Sequence, residues 1–220
     1  VGSRPDKIGL HRCNSLEKLE EKGGGYDLIE VDVCIRENGQ MDVTHDEDTT
    51  FGLDIVPYFA YLHQHPEKRM WMDIKNLDEE NKEPFFVCLD SLCRTYEIAR
   101  ERLIVETPRW DLMRLLTIHD FCTSYYVDAP KPSELTRRQM DSVITRLDRV
   151  ASSGCVRALS FPGWWYMALR GQYKERDISF LIWKHRSIQW EVFLCPEGKM
   201  MLADDRVKAI LVKDKGRYHR

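Results

Sequence analysis

Four short polar motifs stand in the first third of this 220-residue chain: His11-Arg12, Glu30-Val31-Asp32, His45-Asp46 and Asp73-Ile74-Lys75-Asn76. Each ends or interrupts a run of apolar residues. Residues i and i+2 of a strand share a face, so Glu30 and Asp32 point the same way, as do Asp73 and Lys75. Two acids set among Leu28, Ile29, Val31 and Val33 are costly to bury unpaired, and they call for a cation. Glu30, Asp32 and Asp73 converging from neighbouring strands make a hard oxygen site suited to Mg²⁺ or Ca²⁺. Lys75, on the face of Asp73, brings positive charge for an anionic substrate. His11 and His45 carry imidazoles, the side-chain type whose unperturbed pKa of ~6.5 suits general acid and base work. Singly, each motif has an ordinary reading as a salt bridge, a surface pair or a loop. Their succession at the ends of consecutive strands gives them weight together.

Placing these motifs requires a strand before each of them. Apolar runs rich in β-branched and aromatic residues lie at Lys7–Leu10, Leu28–Ile35, Met70–Ile74, Leu103–Val105, Thr123–Val127, Ala158–Phe161, Ile178–Trp183 and Ala209–Val212. Between them, apolar positions at helical spacing predict helices over Ser15–Lys22, Leu53–His65, Lys82–Arg100, Arg109–His119, Ser133–Ser152, Trp164–Tyr173 and part of Ser187–Arg206. Ser133, after two prolines, is the expected N-cap of the fifth helix. Asn38-Gly39 is a hairpin signal, which makes Met41–Thr44 a short strand returning beside the second one. Strand and helix alternating eight times predict a compact α/β fold, a (β/α)₈ TIM barrel, as a single domain over residues 1–220. The motifs then fall at the C-terminal ends of the barrel strands, where such enzymes assemble their sites.

Composition narrows the function classes. The 33 Lys and Arg are balanced by 36 Asp and Glu, which argues against a nucleic-acid partner. No apolar stretch is long enough to span a bilayer. The seven cysteines are odd in number and contain no CxxC pair, so neither a zinc site nor a complete disulfide framework is expected; buried free thiols are. No secretory leader pattern stands at the start of the sequence, and the compartment is left open: extracytoplasmic or membrane-tethered if a segment before Val1 was removed, otherwise cytoplasmic.

The order His11-Arg12, Gly25-Tyr26-Asp27-Leu28-Ile29-Glu30-Val31-Asp32-Val33, Asn38-Gly39, His45-Asp46 and Asp73-x-Lys75 resembles the signature of the glycerophosphodiester phosphodiesterases, members of the phospholipase-C-like phosphodiesterase superfamily of TIM barrels. Asp73 stands where Glu is commoner. Beyond the first third the likeness thins to Ile182-Trp183 and to Ile210-Leu211-Val212-Lys213-Asp214. Two departures bear on the substrate. Cys13-Asn14-Ser15 replaces the usual Pro-Glu-Asn-Thr element. Only 27 residues separate His45 from Asp73, too few for the family's capping insertion. His11-x-x-Asn14 and Asp73-x-Lys75 are also similar to the sphingomyelinase D-type phospholipases, although Glu47-Asp48-Thr49 replaces the Cys-Asp-Cys loop of the spider-toxin type.

The resemblance implies a metal-dependent enzyme cutting a glycerophosphodiester or (lyso)phospholipid head group, with His11 and His45 as acid and base. Arg12 and Lys75 would stabilise charge, and Glu30, Asp32 and Asp73 would hold the metal. Two alternatives stand beside it: a phospholipase D-type lyase releasing a cyclic phosphate, and an inactive barrel that binds a lipid head group or a protein. Glu106, Lys131, Trp183 and Lys184, near later strand ends, are further candidates for substrate contact. Trp164-Trp165-Tyr166 lines a cleft or meets a membrane surface in one reading and plugs the core in another. The oligomeric state leaves no trace in the sequence.

Overall fold

Alternation along each strand decides what the sheet encloses. In the computed structural model, which describes residues 6–37, 39–173, 176–183 and 189–214, the strands are β1 (Ile8–Leu10), β2 (Leu28–Ile35), β3 (Met41–Val43), β4 (Arg69–Ile74), β5 (Leu103–Thr107), β6 (Cys122–Tyr126), β7 (Ala158–Pro162), β8 (Ser179–Trp183) and β9 (Val207–Val212). Parallel pairing runs β1-β2-β4-β5-β6-β7-β8-β9 and closes through β9 onto β1. The result is the expected (β/α)₈ barrel of eight parallel strands. β3 lies outside the ring, antiparallel to β2 through Val33↔Val43 and Ile35↔Met41. Its turn includes Gly39 at φ 76°, a left-handed position that suits glycine; Asn38 lies outside the described residues.

Leu28, Trp71, Ile104, Ala158, Leu181, Ala209 and Leu211 come from six different strands, yet form one buried cluster. They meet only in the barrel interior. Their strand neighbours, including Ile29, Val31, Met70, Met72, Val105 and Ile210, pack outward in the larger core. Gly9 completes the inner layer of β1: a Cβ there would stand 2.8 Å from Leu28 Cδ2 and 2.9 Å from Leu211 Cδ2.

The connections carry α1 (Leu16–Lys22), α2 (Val56–Gln64), α3 (Lys82–Thr95), α4 (Arg114–Ile118), α5 (Arg137–Ser152), α6 (Tyr166–Leu169), α7 (Gln189–Leu194) and α8 (Pro196–Ala203). Several expected helices are shorter than their apolar spacing implied. α3 stops at Thr95, and Glu97 follows at φ 54°, a left-handed turn that ends the helix. The Arg109–His119 segment divides into a 3₁₀ turn over Trp110–Leu112 and the short α4. Ser133 is not the cap of α5. It sits in a 3₁₀ turn, Pro132–Glu134, and the helix starts after Thr136, whose side chain accepts from Gln139 N while Gln139 Oε1 accepts from Thr136 N. That reciprocal capping box satisfies two end groups at once, which Ser133 has no partner to match. All seven cysteines are free thiols, with Cys13, Cys34 and Cys93 buried.

Candidate active site

Strand register brings the acids together. Asp32 pairs with Asp73 across β2 and β4, and Asp73 pairs with Glu106 across β4 and β5. Glu30 lies two residues below Asp32 on the same face. One carboxylate oxygen from each of Glu30, Asp32 and Asp73 lies within 4.8 Å of the others, the convergence that the i, i+2 spacing implied. Burial, then the charges of Asp32 and Asp73, pushes Glu30 well above the usual carboxylate range. Burial also raises Asp73. Asp32, buried as well, is nevertheless held below its ordinary value by Lys75 and Asn14. The site thus concentrates more negative charge than its own cations neutralise, and an all-oxygen donor set of this kind fits a hard divalent cation.

Lys75 Nζ donates to Asp32 Oδ1 at 2.6 Å and to Asp73 Oδ2 at 2.5 Å. Despite burial, the two acids hold it protonated above its usual range. Asn14 binds Asp32 twice: its Nδ2 donates to Oδ2 at 2.6 Å, and its Oδ1 accepts from the Asp32 backbone N at 3.0 Å. Arg12 brings its Nε to 3.9 Å from Asp32 Oδ2, and its backbone N donates to Glu30 Oε2 at 2.5 Å.

The two histidines differ in setting. His11 follows β1 and places Nε2 3.8 Å from Glu30 Oε2, while its buried Nδ1 has no hydrogen-bond partner. Burial, against the pull of Asp32, lowers its pKa to about 3. His45 lies on the loop after β3, and its Nδ1 stands 2.7 Å from Asp46 Oδ1. Arg36 ties that loop to the barrel. It binds Asp42 Oδ2 through Nε and a terminal nitrogen, and it donates to the Glu47 and Thr49 carbonyls at 2.6 Å each.

A cavity of about 260 Å³ opens at the C-terminal end of the barrel. His11, Arg12, Glu30, Asp32, His45, Asp73, Lys75, Glu106 and Trp183 all line it. Glu106 is 2% exposed, and burial, then the charge of Asp73, pushes its pKa up to about 8. Ser160 and Trp71 stand near it and ease that shift, but its Oε2 makes no well-formed hydrogen bond. Opposite the acids, Trp183 stacks on Tyr126 at 5.5 Å and 10°, and Trp164 meets Trp183 edge-on at 6.3 Å.

One sequence expectation changes here, one open reading is decided, and one lies beyond the described residues. Lys131 does not line the cavity; its ammonium sits 5.4 Å from the centroid of the Trp164 ring and 3.6 Å from Glu134. Trp165 and Tyr166 are core residues, leaving Trp164 as the partly exposed member of the aromatic trio. Lys184 lies outside the described residues. Tyr126 was missed, although its i+2 relation to inward-facing Ser124 was readable. Asn14 was legible as part of His-x-x-Asn, but not as the residue that holds Asp32.

No protein-family model and no curated protein sequence matches the chain. Solved structures do resemble it. A glycerophosphodiester phosphodiesterase from Parabacteroides distasonis superposes with a TM-score of 0.64 at 13% identity, over 97% of this chain and 94% of that one. A phosphodiesterase from Oleispira antarctica, solved with the product sn-glycerol-3-phosphate, gives 0.63 at 13% identity, over 94% and 92%. At this identity the likeness establishes a shared barrel fold over nearly the whole length of both chains.

Proposed function

We propose that this chain is a metal-dependent phosphodiesterase acting on a glycerophosphodiester or (lyso)phospholipid head group. The observation that carries the reading is the convergence of Glu30, Asp32 and Asp73 beside Lys75, between two histidines and in a cavity at the C-terminal face of the barrel. A barrel shared with phosphodiesterases adds support. The three carboxylates would hold Mg²⁺ or Ca²⁺, which would neutralise phosphate charge and acidify a neighbouring hydroxyl.

The chain's own residues supply the rest. Arg12 and Lys75 face the phosphate and stabilise the negative charge that builds on its oxygens. His45 has its ring oriented by the contact of Nδ1 with Asp46, which leaves Nε2 to serve as general acid. His11 has no such partner on Nδ1 and serves as general base through Nε2. A substrate hydroxyl next to the phosphate loses its proton to His11 as its oxygen bonds to phosphorus. The bond to the leaving oxygen breaks, and His45 protonates that oxygen. The product is a cyclic phosphate, which water opens with the two histidines exchanging roles. Release before ring opening is the lyase outcome, the second reading that the His-x-x-Asn resemblance keeps open. Glu106, protonated at neutral pH, is placed to donate to a substrate hydroxyl, and the Tyr126–Trp183 stack forms the head-group wall.

The test is turnover of glycerophosphocholine, lysophospholipids and sphingomyelin with Mg²⁺ or Ca²⁺, with products followed by phosphorus NMR. His11→Ala and His45→Ala should each lower turnover by roughly 10²–10⁴-fold, the usual worth of a positioned acid or base. A double variant as active as the wild type would overturn the assignment. A cyclic product that never opens would select the lyase reading.

A further inference from the structure

Lys18 is a charged residue on a helix, a type that ordinarily faces water, yet it is 3% exposed. Its ammonium donates to the carbonyls of His11 and Arg12, each at 2.8 Å. Those carbonyls belong to the turn that leaves β1, and Arg12 adopts φ 52° there, a left-handed conformation that costs a non-glycine residue energy. The same turn aims the Arg12 N–H at Glu30 Oε2 and sets the His11 ring beside that oxygen. Ser15 caps α1 through its Oγ, and the Lys18 stem, from the first turn of that helix, reaches back under the loop on its own contacts with the two carbonyls.

We propose that Lys18 is a positioning residue for the cation site. It holds the strained His11–Arg12 turn in the one shape that orients Glu30 for a divalent ion. The inference rests on the metal-site reading above. It assigns Lys18 no contact with substrate or metal. The buried ammonium is balanced by two carbonyl dipoles, and removing it takes that donor from both carbonyls. The turn then relaxes, and Glu30 loses the amide that fixes one of its oxygens.

The experiment is calorimetric titration of the metal-free chain with Ca²⁺ and Mg²⁺. Lys18→Met keeps the length and packing of the stem but removes the donor. Lys18→Gln keeps a polar head that is too short to reach both carbonyls, and stands in should the methionine variant not fold. Ser15→Ala removes the cap of α1 while leaving the ammonium in place. We expect the Lys18 variants to bind the cation at least 10-fold more weakly, with kcat lowered even at saturating metal, and Ser15→Ala to lose stability with cation affinity unchanged. A folded Lys18 variant that binds the cation like the wild type overturns the proposal. So does a Ser15→Ala variant that loses as much affinity, because helix docking in general would then be the cause. If the wild-type chain binds neither cation, the metal-site reading falls, and this one with it.

Discussion

At the scale of single residues, the site depends on how buried polar groups satisfy one another. Asn14 is the clearest case. It is 6% exposed and engages both the carboxylate and the amide of Asp32. Asn14→Ala would strand a buried N–H and half of a buried carboxylate, a loss of about 1–3 kcal/mol for the unpaired groups. The expected result is a lower urea midpoint with an unchanged slope, accompanied by weaker cation binding; a midpoint equal to the wild type would show that the clasp carries no weight. Most of this scale was readable beforehand. His11, Glu30, Asp32, Asp73 and Lys75 lie where strand periodicity and chain order placed them. Lys18 was not readable, because a charge on a seven-residue helix carries the same sequence signal whether it faces water or a turn.

At the scale of elements, the strands were legible and the helix ends less so. Leu28–Ile35 has the bounds its apolar run predicted, because a barrel strand buried on both faces is marked by apolar residues on both, here broken only by Glu30 and Asp32 on the face that carries the site. Helix ends depend on caps and local turns, which compete over a few residues. α5 illustrates this. Two Ser/Thr candidates precede it, and only Thr136 has a Gln three residues on. Thr136→Ala should therefore cost about 1 kcal/mol, read as a lowered denaturation midpoint, while Ser133→Ala should leave the midpoint in place. The reverse order of effects would contradict the observed start of the helix. Lys131 and the aromatic trio belong to the same lesson. Both follow strand ends, but the local chain turns Lys131 onto Trp164 and sends Trp165 and Tyr166 into the core.

At the scale of the whole molecule, acid burial links stability, pH and metal. The folded chain holds a proton on Glu106 up to about pH 8, against an ordinary value of 4.5. Between those limits the unfolded chain has already lost that proton, so the folded state binds more protons and its stability falls as pH rises. Glu30 and Asp73 are shifted in the same direction. A divalent ion takes the deprotonated site, so its stabilisation should grow over the same interval. Thermal melts in chelator and in excess Mg²⁺ or Ca²⁺ test this. The metal-induced rise in Tm should be larger at pH 8 than at pH 5, with about 2.7 kcal/mol gained at a hundredfold excess over Kd. An equal rise at both pH values would separate the acid cluster from metal binding.

The sequence by itself determined the alternation of strands and helices, the closed barrel and the shared faces of Glu30 with Asp32 and of Asp73 with Lys75. These follow from local periodicity and chain order, which every stretch of sequence carries within itself. Tertiary structure alone decided that Asn14 grips Asp32, that Lys18 is buried under the His11–Arg12 turn, that Tyr126 stacks on Trp183 and that Lys131 turns away from the cavity. Those outcomes depend on distances between elements that closure of the barrel sets, and on desolvation, which a residue acquires only once its neighbours exclude water.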